Sequence, residues 1–237
     1  MGSPAFMPTI CETGEYLAKH PAWHAEDTPW KARQIIQMFE RNDMQPVSIC
    51  EVGCGAGAIL TELQQRSASD VRFCGYEISP QAFQLCRAKA NGNLRFVLGN
   101  ILEERPHYPF EVLLLMDVVE QVEDHLHFLR RVRPLGDFKI FHFPLDLSAQ
   151  SVVRGIPSKV RQTAGHLHYF TKDLVLQTLQ ECGYRVLDHF YTPAALENPN
   201  PGLKTRLMRV PRKLAFNFAP DATALCLGGF SLLVLAV

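Results

Sequence analysis

The 237-residue sequence has no excess of charge of either sign. Lys and Arg together number 24, and so do Asp and Glu. A neutral chain sets up no long-range field that would recruit nucleic acid or an anionic membrane. We therefore expect no nucleic-acid partner, although a local basic patch remains compatible with this composition.

Long hydrophobic runs are also lacking. The longest, 225–237, contains Gly228, Gly229 and Ser231, and it is shorter than the roughly 20 residues needed to span a bilayer. Residues 1–8 are uncharged and rich in small side chains, which is not the pattern of a signal peptide. We expect no transmembrane segment and a cytoplasmic location.

Paired cysteine motifs are absent as well. The chain has seven cysteines, an odd number, and none forms a Cys-x-x-Cys pair. Several lie in apolar segments, so we interpret them as buried free thiols of a reducing compartment. They are Cys11, Cys50, Cys54, Cys74, Cys86, Cys182 and Cys226.

Short apolar segments alternate along the chain with segments of helical periodicity, and no internal repeat or low-complexity tract interrupts them. This alternation is typical of an α/β protein whose parallel sheet is covered by helices on both faces. Strands are predicted at 47–52, 71–77, 94–98, 110–116, 138–143, 184–191 and 225–237, and helices at 26–40, 58–66, 79–90, 118–133 and 171–182.

The predicted connections place a site at one edge of this sheet. Ligands of open α/β sheets bind beyond the carboxyl ends of the strands. Two connections, 145–168 and 192–224, are long enough to be functional or to contain further helices, and we expect the first to frame a second-substrate site. The chain is divided into an N-terminal helical cap segment, 1–45, and one domain, 46–237.

A glycine-rich loop follows the first predicted strand and reads Glu51-Val52-Gly53-Cys54-Gly55-Ala56-Gly57. Glycines permit a tight turn and a close approach of the backbone to a ligand. The loop also satisfies the loose dinucleotide-binding pattern G-x-G-x-x-A. Glu51 favours a different ligand, because a carboxylate inside the strand would repel a pyrophosphate but can serve a cationic group.

Three further segments extend the pattern. Glu77 ends the second strand, 117–122 reads Asp-Val-Val-Glu-Gln-Val, and 165–171 reads Gly-His-Leu-His-Tyr-Phe-Thr before a helix that ends in Cys-Gly-Tyr at 182–184. In this order they resemble a class I S-adenosylmethionine-dependent methyltransferase, from residue 47 to the C-terminus. The resemblance implies a Rossmann-like, doubly wound sheet of seven strands, mostly parallel with the last strand antiparallel. It also implies S-adenosyl-L-methionine as cofactor and S-adenosyl-L-homocysteine (SAH) as product.

The resemblance implies which residues hold the methionine part of this cofactor. The glycine loop is expected to bind it, with Glu51 near its amino group, and two residues after the fourth strand are expected to line the wall beside the sulfonium. The loop residues are Gly53, Cys54, Gly55 and Gly57, and the wall residues are Asp117 and Val118.

The adenosine part is expected at the ends of strands two and three. Glu77 would accept hydrogen bonds from the ribose hydroxyls, since an ionised carboxylate can accept such a pair. Ile78 and Ile101 would cover the adenine ring, and Asn100 would accept a bond from its amine. The alternatives are a solvated strand end for Glu77, ordinary core positions for the two isoleucines and a turn residue for Asn100.

His166 and His168 are the candidate catalytic residues. A base is required only if the acceptor is a hydroxyl or a protonated amine, because methyl transfer otherwise needs chiefly alignment of the reactants. One histidine could hold its loop while the other faces the acceptor. His142, which alternates with phenylalanines on a predicted strand, is interpreted as a core residue with a satisfied hydrogen bond.

We expect no metal site. Asp117 and Glu120 are three apart on the predicted helix 118–133 and would share a face. In some relatives such an acidic pair and a following histidine engage a divalent ion, but Gln121, a poor metal ligand, stands at that position here. Glu120 is expected to make a structural hydrogen bond or a polar wall of the site.

Two segments lie outside these motifs. The segment before strand one, with Trp30 and Lys31, either closes over the ligands or packs as a cap on the sheet. A basic stretch is interpreted as a solvated helix face interrupted by Pro211, with a membrane surface or an anionic acceptor as the alternatives. Its residues are Lys204, Arg206, Arg209, Arg212 and Lys213.

The function expected from this sequence is methyl transfer by in-line displacement to oxygen or nitrogen of a small acceptor, such as a sugar, a lipid-linked glycan or a secondary metabolite. A non-catalytic nucleotide-binding regulatory module is one alternative. A nicotinamide-dependent oxidoreductase is another, although its Tyr-x-x-x-Lys motif is missing from the sequence.

Overall fold

Seven strands form one sheet in this computed structural model, which describes residues 28–104, 109–193 and 203–237. Their order across the sheet is β3-β2-β1-β4-β5-β7-β6. Strands β1 to β5 pair in parallel, and β7 lies antiparallel between β5 and β6. The strands are β1 (Ser48–Val52), β2 (Arg72–Glu77), β3 (Leu94–Leu98), β4 (Phe110–Met116), β5 (Gly136–Pro144), β6 (Val186–Thr192) and β7 (Ser231–Ala236). The predicted fold class and the antiparallel last strand are confirmed.

Helices cover both faces of the sheet, as expected for a doubly wound fold. They are α1 (Thr28–Arg41), α2 (Ala58–Arg66), α3 (Pro80–Arg87), α4 (Ile101–Glu104), α5 (His125–Val132), α6 (Ala149–Val153), α7 (Ile156–Ala164), α8 (Lys172–Glu181), α9 (Leu203–Phe218) and α10 (Pro220–Leu227). One apolar cluster joins α1 and α2 to the sheet, and the other joins α5, α8 and α10 to its opposite face.

The predicted helix 118–133 is confirmed over His125–Val132 (α5) but begins too early, because a 3-10 turn precedes it. Asp117 has a positive φ of 59°, and a 3-10 turn over Val119–Gln121 follows it. Asp124 then caps α5 by accepting a hydrogen bond from the His127 N–H at 3.0 Å. The acidic pair at 117 and 120 therefore does not share a helix face.

The last predicted strand, 225–237, begins too early. Pro220 opens helix α10, which continues to Leu227, and Gly228 and Gly229 both have positive φ before β7 begins at Ser231. The apolar residues of 225–227 belong to this helix, because a short apolar run does not by itself distinguish helix from strand.

The two long connections contain helices. Connection 145–168 holds α6 and α7, and connection 192–224 holds α9, with Pro211 inside the helix, and α10. Residues 1–27, which include Cys11 and most of the predicted N-terminal cap segment, lie outside the described residues. Within the described part of the chain, no helix has both the length and the apolar character needed to cross a membrane.

Candidate active site

The glycine loop turns sharply at the carboxyl end of the central strand β1. Gly53, Gly55 and Gly57 all have positive φ, between 54° and 70°, a conformation that side chains disfavour. A Cβ on Gly57 would lie 2.6 Å from the Phe96 ring, so no larger residue fits there. The N–H groups of Gly53 and Cys54 donate to the Tyr76 carbonyl at 2.8 and 3.0 Å, which fastens the loop to β2.

Glu77 lies at the end of β2 and braces the same loop. Its side chain is buried, and its two carboxylate oxygens accept hydrogen bonds from the N–H groups of Gly55 (2.7 Å) and Ser79 (2.8 Å). Burial raises the pKa of Glu77, and the two backbone donors oppose that rise. Glu77 is therefore not a solvated strand end. Each carboxylate oxygen keeps a second lone pair with which to accept a further bond.

Glu51 is buried at the end of β1, close to the loop. Its Oε2 atom has no hydrogen-bond partner among the described residues. Burial raises the pKa of Glu51 to about 8, although the charge of Lys31 lowers it. A buried carboxyl oxygen without a partner costs free energy, and a cationic ligand would offset that cost.

Three other predicted cofactor residues differ in exposure. Ile78 is 44% exposed beside the Glu77 carboxylate, whereas Ile101 is only 1% exposed and packs in an apolar cluster of the core. The Asn100 side-chain oxygen accepts a hydrogen bond from the Leu102 N–H at 3.0 Å and so begins helix α4. Ile78 is therefore accessible to a ligand, whereas the burial of Ile101 favours a structural role in the core.

The loop residue Cys54 and the wall residue Val118 pack around the glycines. A Cβ on Gly75 of β2 would lie 2.6 Å from the Cys54 sulfur, so this thiol fills the space above the strand. A Cβ on Gly53 would lie 3.0 Å from a Val118 methyl carbon. Six of the seven cysteines lie in the described residues, and none of those six forms a disulfide.

Asp117 joins the N-terminal helix to the sheet edge. Its carboxylate accepts a bond from the Lys31 ammonium at 2.6 Å and contacts His142 Nδ1 at 2.5 Å. Burial would raise the pKa of Asp117, but the His142 and Lys31 groups hold it well below its usual range. His142 Nε2 lies 2.9 Å from the Thr192 hydroxyl. Sequence analysis missed the Lys31 contact, because 86 residues separate the two partners.

Glu120 is fully buried and lies beside the predicted histidines. Neither of its carboxyl oxygens has a hydrogen-bond partner among the described residues. Burial, followed by the charge of Asp117, raises the pKa of Glu120 well above its ordinary value. The structural hydrogen bond expected of this side chain is absent from the described residues.

The two candidate histidines are held differently. His166 Nδ1 lies 2.6 Å from Asp146 Oδ2, and its Nε2 lies 3.9 Å from Glu120 Oε1. His168 Nε2 instead lies 2.9 and 3.1 Å from the carbonyl oxygens of Val122 and Glu123. His168 thus fastens its loop to the segment after the 3-10 turn. The carboxylate of Asp146 orients the His166 ring and leaves Nε2 directed towards Glu120.

The site is rich in carboxyl groups but shows no metal-binding arrangement. Among the described residues, no group of three or more His, Cys, Asp or Glu side chains is placed to hold a metal ion. The Gln121 side-chain amide donates to the Asp117 carbonyl at 3.0 Å. The side chains at this site can form hydrogen bonds, stabilise charge and transfer protons.

Comparisons with known proteins agree with this geometry. Residues 45–162 match a family model described as a methyltransferase domain. A curated relative, the mitochondrial ubiquinone biosynthesis O-methyltransferase of Schizosaccharomyces pombe, is 31% identical over 107 residues. That alignment covers 41% of this chain and only 38% of the relative.

Solved structures share the fold at low sequence identity. Magnesium protoporphyrin IX methyltransferase from Synechocystis with bound SAH has a TM-score of 0.59 at 15% identity, covering 100% of this chain and 89% of that one. A methyltransferase in complex with the Haloferax volcanii Trm112 activator has a TM-score of 0.63 at 15% identity, covering 98% and 99%. The matched domain and the strand order lead to one conclusion: residues 45–162 belong to a methyltransferase domain family, and the chain has the fold of solved methyltransferases.

Proposed function

We propose that this protein transfers a methyl group from S-adenosylmethionine to an oxygen or nitrogen atom of a small acceptor. The observation that carries the proposal is the pair of buried carboxyl groups, Glu51 and Glu77, on the two sides of a glycine loop at the carboxyl edge of the sheet. When bound, the cofactor supplies an activated methyl group on a sulfonium. The protein has to orient it, exclude water and manage one proton.

The residues present fit this cofactor. Glu51 offers a buried carboxyl oxygen to the cationic amino group, and Glu77 offers the remaining lone pairs of its oxygens to the ribose hydroxyls. The exposed side chain of Ile78 next to Glu77 can cover an adenine face. Asp117 and Val118 adjoin the loop and would face the sulfonium.

The proton of the acceptor would be removed by His166. Asp146 fixes the His166 ring through Nδ1, which leaves Nε2 as the proton acceptor. Glu120 lies next to His166, and both of its carboxyl oxygens lack a partner among the described residues. This carboxyl group would hold an acceptor that carries hydrogen-bond donors. Within the proposal we favour an oxygen acceptor, because a hydroxyl requires a base and because the curated relative is named as an O-methyltransferase.

The N-terminal segment 1–45 would act as a helical cap that completes this site. Its described helix, α1, buries Ala32, Ile35 and Met38 against the sheet and supplies Lys31 to Asp117. The cap would thus position the wall residue beside the sulfonium.

Glu51 should make cofactor affinity depend on pH. The pKa of Glu51 near 8 leaves its carboxyl protonated at pH 6, whereas the amino group of the ligand favours the ionised form. We expect the affinity for SAH to rise up to about tenfold per pH unit between pH 6 and 8. Calorimetry across this range measures it. The control, Glu51→Gln, should bind more weakly and without this slope, and an equal slope in the variant would contradict the assignment.

The same substitution should stabilise the protein without ligand. The folded state holds a proton on Glu51 between its unfolded pKa of 4.5 and about 8, so the stability of the parent falls as pH rises through this window. Glu51→Gln removes this loss, and the variant should exceed the parent by on the order of 3 kcal/mol at pH 8 and by little at pH 5. Urea unfolding at both pH values checks the difference.

A further inference from the structure

Helices α6, α7 and α9, in the two long connections, carry a positive charge that acidic residues elsewhere in the chain balance. Residues 149–164 contain three basic residues and no acidic one, and 203–218 contain five basic residues and no acidic one. We call helices α6, α7 and α9 the basic cap. The whole chain is neutral, and on that ground we expected no attraction to an anionic membrane. The basic cap is a local positive region that the net charge of the chain does not reveal.

The basic cap also exposes large apolar side chains. Val153 at the end of α6 is 87% exposed, and Phe218 at the end of α9 is 88% exposed. Val152 and Leu214 are each more than half exposed. Exposed apolar groups that form a patch mark interaction sites, and these four side chains lie on two helices that Arg212 and Gln150 join.

The helices of the basic cap are connected to one another and to the sheet edge. The Arg212 guanidinium of α9 donates to the Gln150 side-chain oxygen of α6 at 3.2 Å and to the Leu227 carbonyl at 3.1 Å. Helix α7 buries none of its residues, so packing of the core does not explain its presence. It ends at Ala164, two residues before His166.

We propose that the basic cap is a membrane-docking surface that lies on the headgroups of an anionic lipid bilayer. Amphipathic helices of this kind place Phe, Leu and Val side chains at the acyl boundary while Lys and Arg meet anionic headgroups. The basic residues Arg154, Lys159 and Lys213 are exposed on or next to the same helices as the exposed apolar residues and supply the complementary charge. A bilayer is favoured over an acidic protein because both kinds of side chain are exposed together on short helices. Docked in this way, the enzyme would meet its acceptor at the membrane surface.

Vesicle sedimentation tests the proposal with the full chain. The vesicles are phosphatidylcholine alone or phosphatidylcholine mixed with phosphatidylglycerol. The variants are Val153→Ser with Phe218→Ser, which removes apolar contacts, and Arg154→Glu with Lys213→Glu, which reverses charge. The matched control is Val47→Ser with Arg72→Glu, at the opposite, amino edge of the sheet.

The parent should bind anionic vesicles at least about tenfold more strongly than neutral ones, and added salt should weaken the binding. Each cap variant should lose about tenfold or more in partitioning, whereas the control should stay within about twofold of the parent. Retained SAH binding in every variant separates this result from a loss of the cofactor site.

Three results would overturn the proposal. The first is a parent that fails to bind anionic vesicles at low salt. The second is an apolar double variant that binds as the parent does, since this would indicate purely electrostatic docking, as on an acidic protein. The third is an equal loss in the control variant.

Discussion

Glu77→Ala is expected to weaken SAH binding on the order of tenfold to a hundredfold and to lower the stability of the protein. The carboxylate accepts hydrogen bonds from the buried N–H groups of Gly55 and Ser79, and its removal leaves both donors without that partner. An unsatisfied buried polar group costs roughly 1–3 kcal/mol. The charge-assisted bonds to the ribose hydroxyls would be lost in addition.

Calorimetry with SAH and thermal unfolding measure the two effects of Glu77→Ala separately. Glu103→Ala, at an exposed position on α4, is the matched control and should change neither. If Glu77→Ala binds SAH as tightly as the parent, the ribose site is elsewhere. A lower melting temperature with unchanged affinity would assign Glu77 to the loop alone.

His166→Ala is expected to lower turnover by about a hundredfold to ten-thousandfold, the usual contribution of a general base. Asp146 holds the ring through Nδ1, and Nε2 lies 3.9 Å from the buried carboxyl group of Glu120. Turnover is measured as SAH release over a panel of phenols, sugars and amines.

His168→Ala is the comparison variant for His166→Ala. Because His168 bonds to the carbonyl oxygens of Val122 and Glu123, its loss should reduce stability and acceptor affinity but leave turnover at saturating acceptor largely unchanged. If both variants keep full turnover on an acceptor that the parent methylates, neither histidine is the base. Catalysis by alignment alone would then be the better account.

The sequence predicts those parts of the fold that depend on local pattern. Apolar runs locate the strands, and the Ser79-Pro80 pair locates the start of α3, where the Ser79 hydroxyl accepts a bond from the Ala82 N–H. The prediction fails where a turn or a proline, rather than the apolar pattern, determines where a helix begins. The 3-10 turn over Val119–Gln121 and the extended Val122 interrupt the expected helix 118–133. Pro220 starts a helix that continues to Leu227 and so occupies the beginning of the expected strand 225–237.

The site is predictable only in part, because local sequence motifs do not reveal contacts between distant segments. Glu51 and the glycines are adjacent in sequence at the turn. Glu77 is 22 residues from Gly55, but it ends the next strand, so its position also follows from the motif. The contacts of Asp117 with Lys31 and of His166 with Asp146 join segments that only the folded sheet brings together. Glu120 is buried within a 3-10 turn that the sequence did not predict.

The most direct test of the central claim is calorimetry of the parent protein with SAH and, separately, with NAD. A glycine loop bounded by the buried carboxyl groups of Glu51 and Glu77 should bind SAH measurably at micromolar concentration and should exclude the pyrophosphate of NAD. SAH binding with no detectable NAD binding is the predicted result. Binding of NAD without SAH would contradict the account and would assign the loop to a dinucleotide.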